Sequence, residues 1–171
     1  MKMTSSYANK VLRKLNEDKA FWVNKEVSSC TYTVAADEEE PVIPEYDYKT
    51  VADTIAAIDE KIAKIKHAIN IVNATSEIEV GDEKMTIDMI LVRMAQLSKR
   101  KLFLDSLRKR EPKTRLNSGL YSVRKTAPEY QYINYDLDLI KSEYDKVDTQ
   151  IATMQIALDK FNQTFEFEVD Y

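Results

Sequence analysis

The residues best suited to binding chemistry are basic and lie between positions 99 and 125. Ten Lys or Arg fall in this range against two acidic residues. Tyr121 lies among them, and Tyr130 and Tyr132 follow closely. Single-stranded nucleic acid is bound by cations that hold its phosphates and by aromatic rings that stack on its bases, so the segment is a candidate nucleic-acid site. Its basic residues are Lys99, Arg100, Lys101, Arg108, Lys109, Arg110, Lys113, Arg115, Arg124 and Lys125.

A second interpretation gives this basic segment a purely structural role. The chain is acidic overall, with a net charge of −4, and contains a dense acidic stretch. Such a balance favours pairing between protein charges over attraction to nucleic acid. We therefore favour a solvated helix end that meets the acidic stretch of a neighbouring protomer. The acidic stretch comprises Asp37, Glu38, Glu39, Glu40, Glu45 and Asp47.

Another candidate site is a polar cluster of Asn70, Asn73 and Arg93. The two asparagines flank apolar positions near the end of one predicted helix, and Arg93 lies in the next predicted helix. Packed as a hairpin, the two helices would let these side chains bind a small anion or fix the packing register. We favour a structural alternative in which Asn73 ends its helix and Asn70 lies at the solvent-exposed edge of that helix, because Asn is a favoured helix terminator.

The sequence offers no recognisable catalytic, metal or cofactor site. His67 is the only histidine, so neither a histidine-based metal set nor a Ser-His-Asp triad can be assembled. With two glycines in the chain, no phosphate-binding loop is present. Cys30, the single cysteine, is expected to be a buried small hydrophobe in a reducing compartment. We expect a non-enzyme without cofactor or metal, located in the cytoplasm, since the start of the chain is polar and no apolar run approaches the ~20 residues of a membrane helix.

Two apolar repeats show how the chain positions these residues. Each alternates steps of three and four, which places the apolar side chains along one narrow stripe of a helix and is typical of a coiled-coil seam. The first stripe comprises Val51, Ile55, Ile58, Ile62, Ile65, Ile69 and Val72, and the second comprises Leu137, Ile140, Tyr144, Val147, Ile151, Met154, Leu158 and Phe161.

The predicted fold is a single, mainly α domain over 1–171, an antiparallel helical bundle or coiled-coil hairpin with a small β-sheet at one end. Low glycine and proline content and the apolar periodicity predict four helices, three of them long, at about 4–26, 48–73, 86–110 and 137–162. Alternating or β-branched segments around turn residues predict short strands at about 28–35, 78–85, 120–124, 130–135 and 164–171.

The middle of the chain resembles the septicolysin-like family of small bacterial helical proteins. The resemblance rests on His-Ala-Ile-Asn-Ile-Val-Asn-Ala-Thr at 67–75, the Gly81-Asp82 turn, and Met-Thr-Ile-Asp-Met-Ile-Leu-Val-Arg at 85–93. It covers the chain from the second predicted helix to the last. Most members of the family have no assigned function, although its name implies a pore-forming toxin. The resemblance implies a helical, oligomeric fold, with Asn70, Asn73 and Arg93 at the family's polar positions.

Together these observations predict a non-enzymatic structural or interaction protein that associates with itself. Narrow isoleucine-rich stripes are rarely covered within one thin hairpin, so a second copy of the chain is the expected partner. A further protein partner stays open. A pore-forming, membrane-active role ranks second, and nucleic-acid binding through residues 99–125 ranks third.

Overall fold

The computed structural model describes residues 1–37, 40–116 and 128–170, and this part of the chain is mainly helical. Each predicted helix is present, with its ends shifted by no more than three residues from the predicted ones. The helices are α1 (Ser5–Ser29), α2 (Tyr48–Thr75), α3 (Ile87–Arg108) and α4 (Leu137–Thr164). Short strands form two-stranded sheets: β1 (Lys2–Thr4) with β6 (Glu166–Glu168), β2 (Glu77–Val80) with β3 (Glu83–Thr86), and β4 (Lys113–Leu116) with β5 (Glu129–Tyr132).

Side-chain caps fix the starts of three helices. The Thr4 hydroxyl oxygen accepts a hydrogen bond from the Tyr7 N–H (3.2 Å), and the Asp47 carboxylate accepts one from the Thr50 N–H (2.9 Å). The Asp136 carboxylate accepts from the first N–H groups of α4 in the same way. Because the first turn of a helix has N–H groups without helical partners, such oxygens stabilise each start by roughly 1 kcal/mol.

Both predicted apolar stripes face the interior. On α2 the fully buried members alternate with two half-buried ones, and on α4 burial increases toward the C-terminal end of the helix. These side chains supply much of the core, because each buried aliphatic side chain contributes on the order of 1.5–3 kcal/mol. The buried members are Val51, Ile58, Ile62, Ile65, Val72, Val147, Met154, Leu158 and Phe161.

The contacts divide the chain into two compact units, and the single domain expected over 1–171 stays a prediction. Unit 1 comprises residues 1–78 and the C-terminal segment from residue 158, and unit 2 comprises residues 79–157. The division therefore falls within β2 and within α4.

Unit 1 contains the packed pair α1 and α2 and the sheet of β1 and β6. Lys19 of α1 pairs with Asp59 of α2 at 2.6 Å. The two strands are antiparallel, and their central pair, Met3 and Phe167, is buried. The strand predicted at 164–171 is thus present only as β6, because α4 continues to Thr164.

The strand predicted at 28–35 does not form. Helix α1 continues through Ser29, and the Cys30 N–H still donates to the Glu26 carbonyl (2.9 Å) as a helical residue would. Residues 31–35 are irregular. β-Branched residues favour a strand only where a neighbouring strand pairs with them, and among the described residues no strand lies beside this segment. Cys30 is exposed, so the expectation of a buried thiol is also wrong.

Two hairpins precede and follow α3. The predicted hairpin over 78–85 forms as β2 and β3, with Gly81 at φ +62° in the turn, a conformation that glycine adopts without strain. The strand predicted at 130–135 is present as β5. Its partner β4 was not predicted, and the strand predicted at 120–124 lies outside the described residues.

Candidate functional site

The structure divides the predicted polar cluster between the two compact units. Asn70, which is exposed, and Asn73, which is half-buried, belong to unit 1, and Arg93 belongs to unit 2. Asn73 does not end its helix, because α2 continues to Thr75. The Arg93 guanidinium instead donates to the Glu83 carboxylate at 2.7 Å. This ion pair links α3 to β3 and gives Arg93 a structural partner.

Carboxylates neutralise part of the predicted basic segment. Asp105 of α3 accepts hydrogen bonds from Lys109, the residue that follows this helix, and from Arg108, and these bonds lower the pKa of its carboxyl group. Lys101 donates to Asp148 of α4, and this bond raises the pKa of the Lys101 ammonium. These three cations therefore have carboxylate partners within the chain itself. The favoured structural interpretation, in which the segment meets the acidic stretch of a neighbouring protomer, stays a prediction.

Tyr144 of α4 also contacts two of these cations, Lys101 and Arg108. The Arg108 guanidinium lies 3.8 Å from the centre of the Tyr144 ring, and the Lys101 ammonium lies 5.5 Å from it. Cations held over an aromatic face contribute roughly 0.5–2 kcal/mol, more as the site loses water. Lys101 and Arg108, two of the ten cations in the predicted binding segment, thus help to hold α3 and α4 together.

The sheet of β4 and β5 presents two further residues of the basic segment, Lys113 and Arg115, on an exposed ribbon. Its antiparallel register pairs Lys113 with Tyr132 and Arg115 with Tyr130. Directly paired residues share a face, and so do residues two apart on one strand. All four side chains therefore project from one face, which we call the basic-aromatic face. Every residue of the two strands is exposed.

The ribbon is tied to the C-terminal end of α3 at its base. The Ile133 N–H donates to the Pro112 carbonyl (3.2 Å), and the Tyr135 hydroxyl donates to the Leu107 carbonyl (2.7 Å). The opposite face carries Thr114 and Gln131. These two side chains line a depression of about 510 Å³ that Tyr132 also borders. The two faces of the ribbon are thus chemically distinct. Arg124, Lys125 and Tyr121 lie outside the described residues.

A second exposed surface is apolar and lies on the outer side of α3. Met89, Val92 and Phe103 are 58%, 59% and 52% exposed, while Ile90 and Leu104 on the opposite side are buried. Beside Met89 and Val92 runs a shallow groove of about 400 Å³, which Met85 also lines. Sequence reasoning missed this surface, which we call the α3 outer face. The available signal was the uninterrupted apolar run of residues 89–92. Four consecutive side chains point to different sides of a helix, so they cannot all be buried on one side.

No group of His, Cys, Asp or Glu in the described ranges is arranged to hold a metal ion. None of the helices in these ranges is long and apolar enough to cross a membrane.

Comparisons with known proteins establish a fold relationship only. No family model matches the chain, and no curated protein matches it. Among solved structures, the chain is similar to the crystal structure of a functionally unknown conserved protein from Corynebacterium diphtheriae. The two are 13% identical with a TM-score of 0.66, over 98% of this chain and 100% of that one. The class defined so far is a mainly helical protein with small antiparallel strand pairs.

Proposed function

We propose that the protein is a non-enzymatic structural or interaction protein and that a second copy of the chain binds its α3 outer face. The observation that carries the proposal is the exposure of Met89, Val92 and Phe103 on a helix that already buries Ile90 and Leu104 elsewhere on its surface. Large apolar side chains grouped on one surface favour an interaction site, because their burial releases the water that covers them.

The two apolar ends of this face can pair with each other, with Lys99 and Arg100 lying opposite Val92. Positions 89, 92, 96, 99 and 103 follow steps of three and four on either side of Gln96, with an apolar residue at each end. In a two-fold symmetric pair, each contact occurs twice with the roles exchanged. Two antiparallel α3 helices that cross at Gln96 would therefore bring Met89 of each copy against Phe103 of the other. Sulfur and aromatic rings pack favourably in such contacts.

The charges beside this face are complementary in the same arrangement. Asp88 precedes the apolar positions and would lie within about one helical turn of Arg100 in the other copy. Hydrogen bonds from the Thr86 hydroxyl and the Met89 N–H lower the pKa of Asp88, which keeps it ionised. Opposite charges at the rim of an interface favour one orientation over others, here the antiparallel one.

The predicted antiparallel bundle with a coiled-coil seam belongs to the same proposal. The burial of both apolar stripes and the packing of α1 on α2 support it. The proposed location is the cytoplasm, where an exposed thiol such as Cys30 remains reduced.

Light scattering and sedimentation test the association. Between about 1 and 100 µM the mass should rise toward twice the 19.8 kDa of the chain. The double variant Val92→Glu/Phe103→Glu should remain at the mass of one chain, because each copy then loses two apolar contact side chains and places the carboxylate at position 103 against Met89 of the other. Its dissociation constant should rise at least about tenfold. Phe21→Glu is the matched control, because Phe21 is equally exposed (63%) but lies on α1.

Two outcomes would contradict the proposal. One is a monomer throughout the concentration range. The other is an oligomer that Val92→Glu/Phe103→Glu leaves intact while both proteins show the same circular dichroism.

A further inference from the structure

We propose that the basic-aromatic face of the β4–β5 ribbon binds single-stranded nucleic acid. The face consists of Lys113, Arg115, Tyr130 and Tyr132. Since none of these residues belongs to α3, the inference is independent of the proposed self-association.

The register of the two strands is the first support for this binding site. The sequence shows only two cations two residues apart and, later, two tyrosines two residues apart. The pairing of Lys113 with Tyr132 and of Arg115 with Tyr130 combines them into a two-by-two array. Along each strand the two side chains are separated by roughly 7 Å, and across the strands by about 5 Å. A row of phosphate-binding groups on β4 thus lies beside a row of base-stacking groups on β5.

The second step is that the ring faces are available to a ligand. The Lys113 ammonium lies 4.1 Å from the centre of the Tyr130 ring and 5.5 Å from that of Tyr132. Because Lys113 is flexible and lies on an exposed strand, a ligand can displace its ammonium from the two tyrosine rings. When a base stacks on the rings, the ammonium can move to the phosphate of the same nucleotide. Every base has a π-face, so this mode of binding tolerates many sequences.

The third step is that these cations are not neutralised within the described part of the chain. Lys101, Arg108 and Lys109 each have a carboxylate partner. For Lys113 and Arg115, no carboxylate of the described residues lies within ion-pair distance. The site is therefore narrower than the basic segment that the sequence predicted, and we expect it to cover two or three nucleotides, as on other aromatic sheet surfaces.

An acidic protein segment is the main competing ligand, and the tyrosines distinguish the two. A carboxylate-rich peptide requires the cations alone, so the loss of the rings would affect it little. Nucleic acid uses both, because stacking contributes alongside the phosphate contacts.

Fluorescence anisotropy with labelled ten-nucleotide oligo(dT) and oligo(U) tests the proposal on the full chain. Tyr130→Ala/Tyr132→Ala should weaken binding by roughly 5- to 150-fold for each base that loses its stacking partner. Tyr130→Phe/Tyr132→Phe keeps both rings and should retain the affinity. Lys113→Gln/Arg115→Gln should reduce the slope of log K against log salt by about 1.4, since each phosphate contact contributes about 0.7 for a single strand. Comparing the two oligonucleotides separates DNA from RNA binding.

The reverse face of the ribbon supplies the matched control. Thr114 and Gln131 pair with each other in the same strands, so Thr114→Ala/Gln131→Ala should leave the affinity unchanged. Equal losses in this control and in the tyrosine variant would overturn the proposal. So would the absence of binding by the wild-type protein at 50 mM salt and 100 µM protein. Binding of poly-glutamate that exceeds the binding of both oligonucleotides would assign the face to an acidic protein segment instead.

Discussion

Two adjacent residues of α3 provide a direct test of which side of this helix is interior. Ile90 is 0% exposed and Met89 is 58% exposed. Ile90→Ala removes three buried carbon atoms, worth about 0.8 kcal/mol each, and leaves a cavity. The free energy of unfolding should therefore fall by about 3–4 kcal/mol. Met89→Ala should change it by no more than about 0.5 kcal/mol, because its side chain is largely hydrated and Ala favours helix.

Urea unfolding followed by circular dichroism, in dilute solution, measures both changes. For a chain of this size, Ile90→Ala should also lower the melting temperature by about 6–16 °C. At higher protein concentration the chains associate, and the free energy of association adds to the free energy of unfolding. Only under these conditions should Met89→Ala become destabilising. Equal losses for the two variants in dilute solution would refute the assignment of the buried and outer sides of α3, and with it the basis of the proposed interface.

Two further predictions concern Asp105 and Cys30. Hydrogen bonds from Lys109 and Arg108 lower the folded-state pKa of Asp105, so its contribution to stability is present above the ordinary pKa of about 4 and is lost as the pH falls through the lowered value. Asp105→Asn should accordingly melt below the wild type at pH 7, and the two melting curves should converge on acidification; a gap that persists at the lowest pH would contradict this cause. Cys30 is exposed, so a thiol reagent should label the native protein about as fast as the urea-unfolded one, and protection in the native state would show that the thiol is buried after all.

Much of the helical architecture could be predicted from local patterns. The stripe from Val51 to Val72 has the period of one helical face, and the structure buries that face. Caps such as Thr4 and Asp47 are visible in the sequence because their chemistry is local. The Gly81-Asp82 turn was predictable for the same reason.

What could not be predicted depends on distant partners. The segment 31–35 has strand-forming residues but no strand beside it, whereas β1 and β4 have weak local patterns and pair because β6 and β5 are present. The outer side of α3 was hidden because residues 89–92 are all apolar, and a continuous run does not show which side is covered.

The candidate sites show the same difference between local patterns, which the sequence reveals, and contacts between distant residues, which it does not. Lys113 and Arg115 were recognised as basic residues, but only the register of β4 with β5 shows that two tyrosines share their face. Arg93 was named as a member of a candidate polar cluster, and its partner Glu83 could not be inferred without the hairpin that places it.

The pairing of β1 with β6 constrains the order in which unit 1 can fold. The Met1 ammonium donates to the Val169 carbonyl at 2.8 Å across 168 residues of chain. Closing a loop of that length from a disordered chain would cost on the order of 4.5 kcal/mol in entropy, more than the backbone hydrogen bonds of a three-residue sheet return. Met3 and Phe167 gain their burial only once the helices are present to pack against them. The contact becomes favourable only after the intervening helices have shortened the loop. The ends of this chain should therefore join late in folding and be the first part of unit 1 to open.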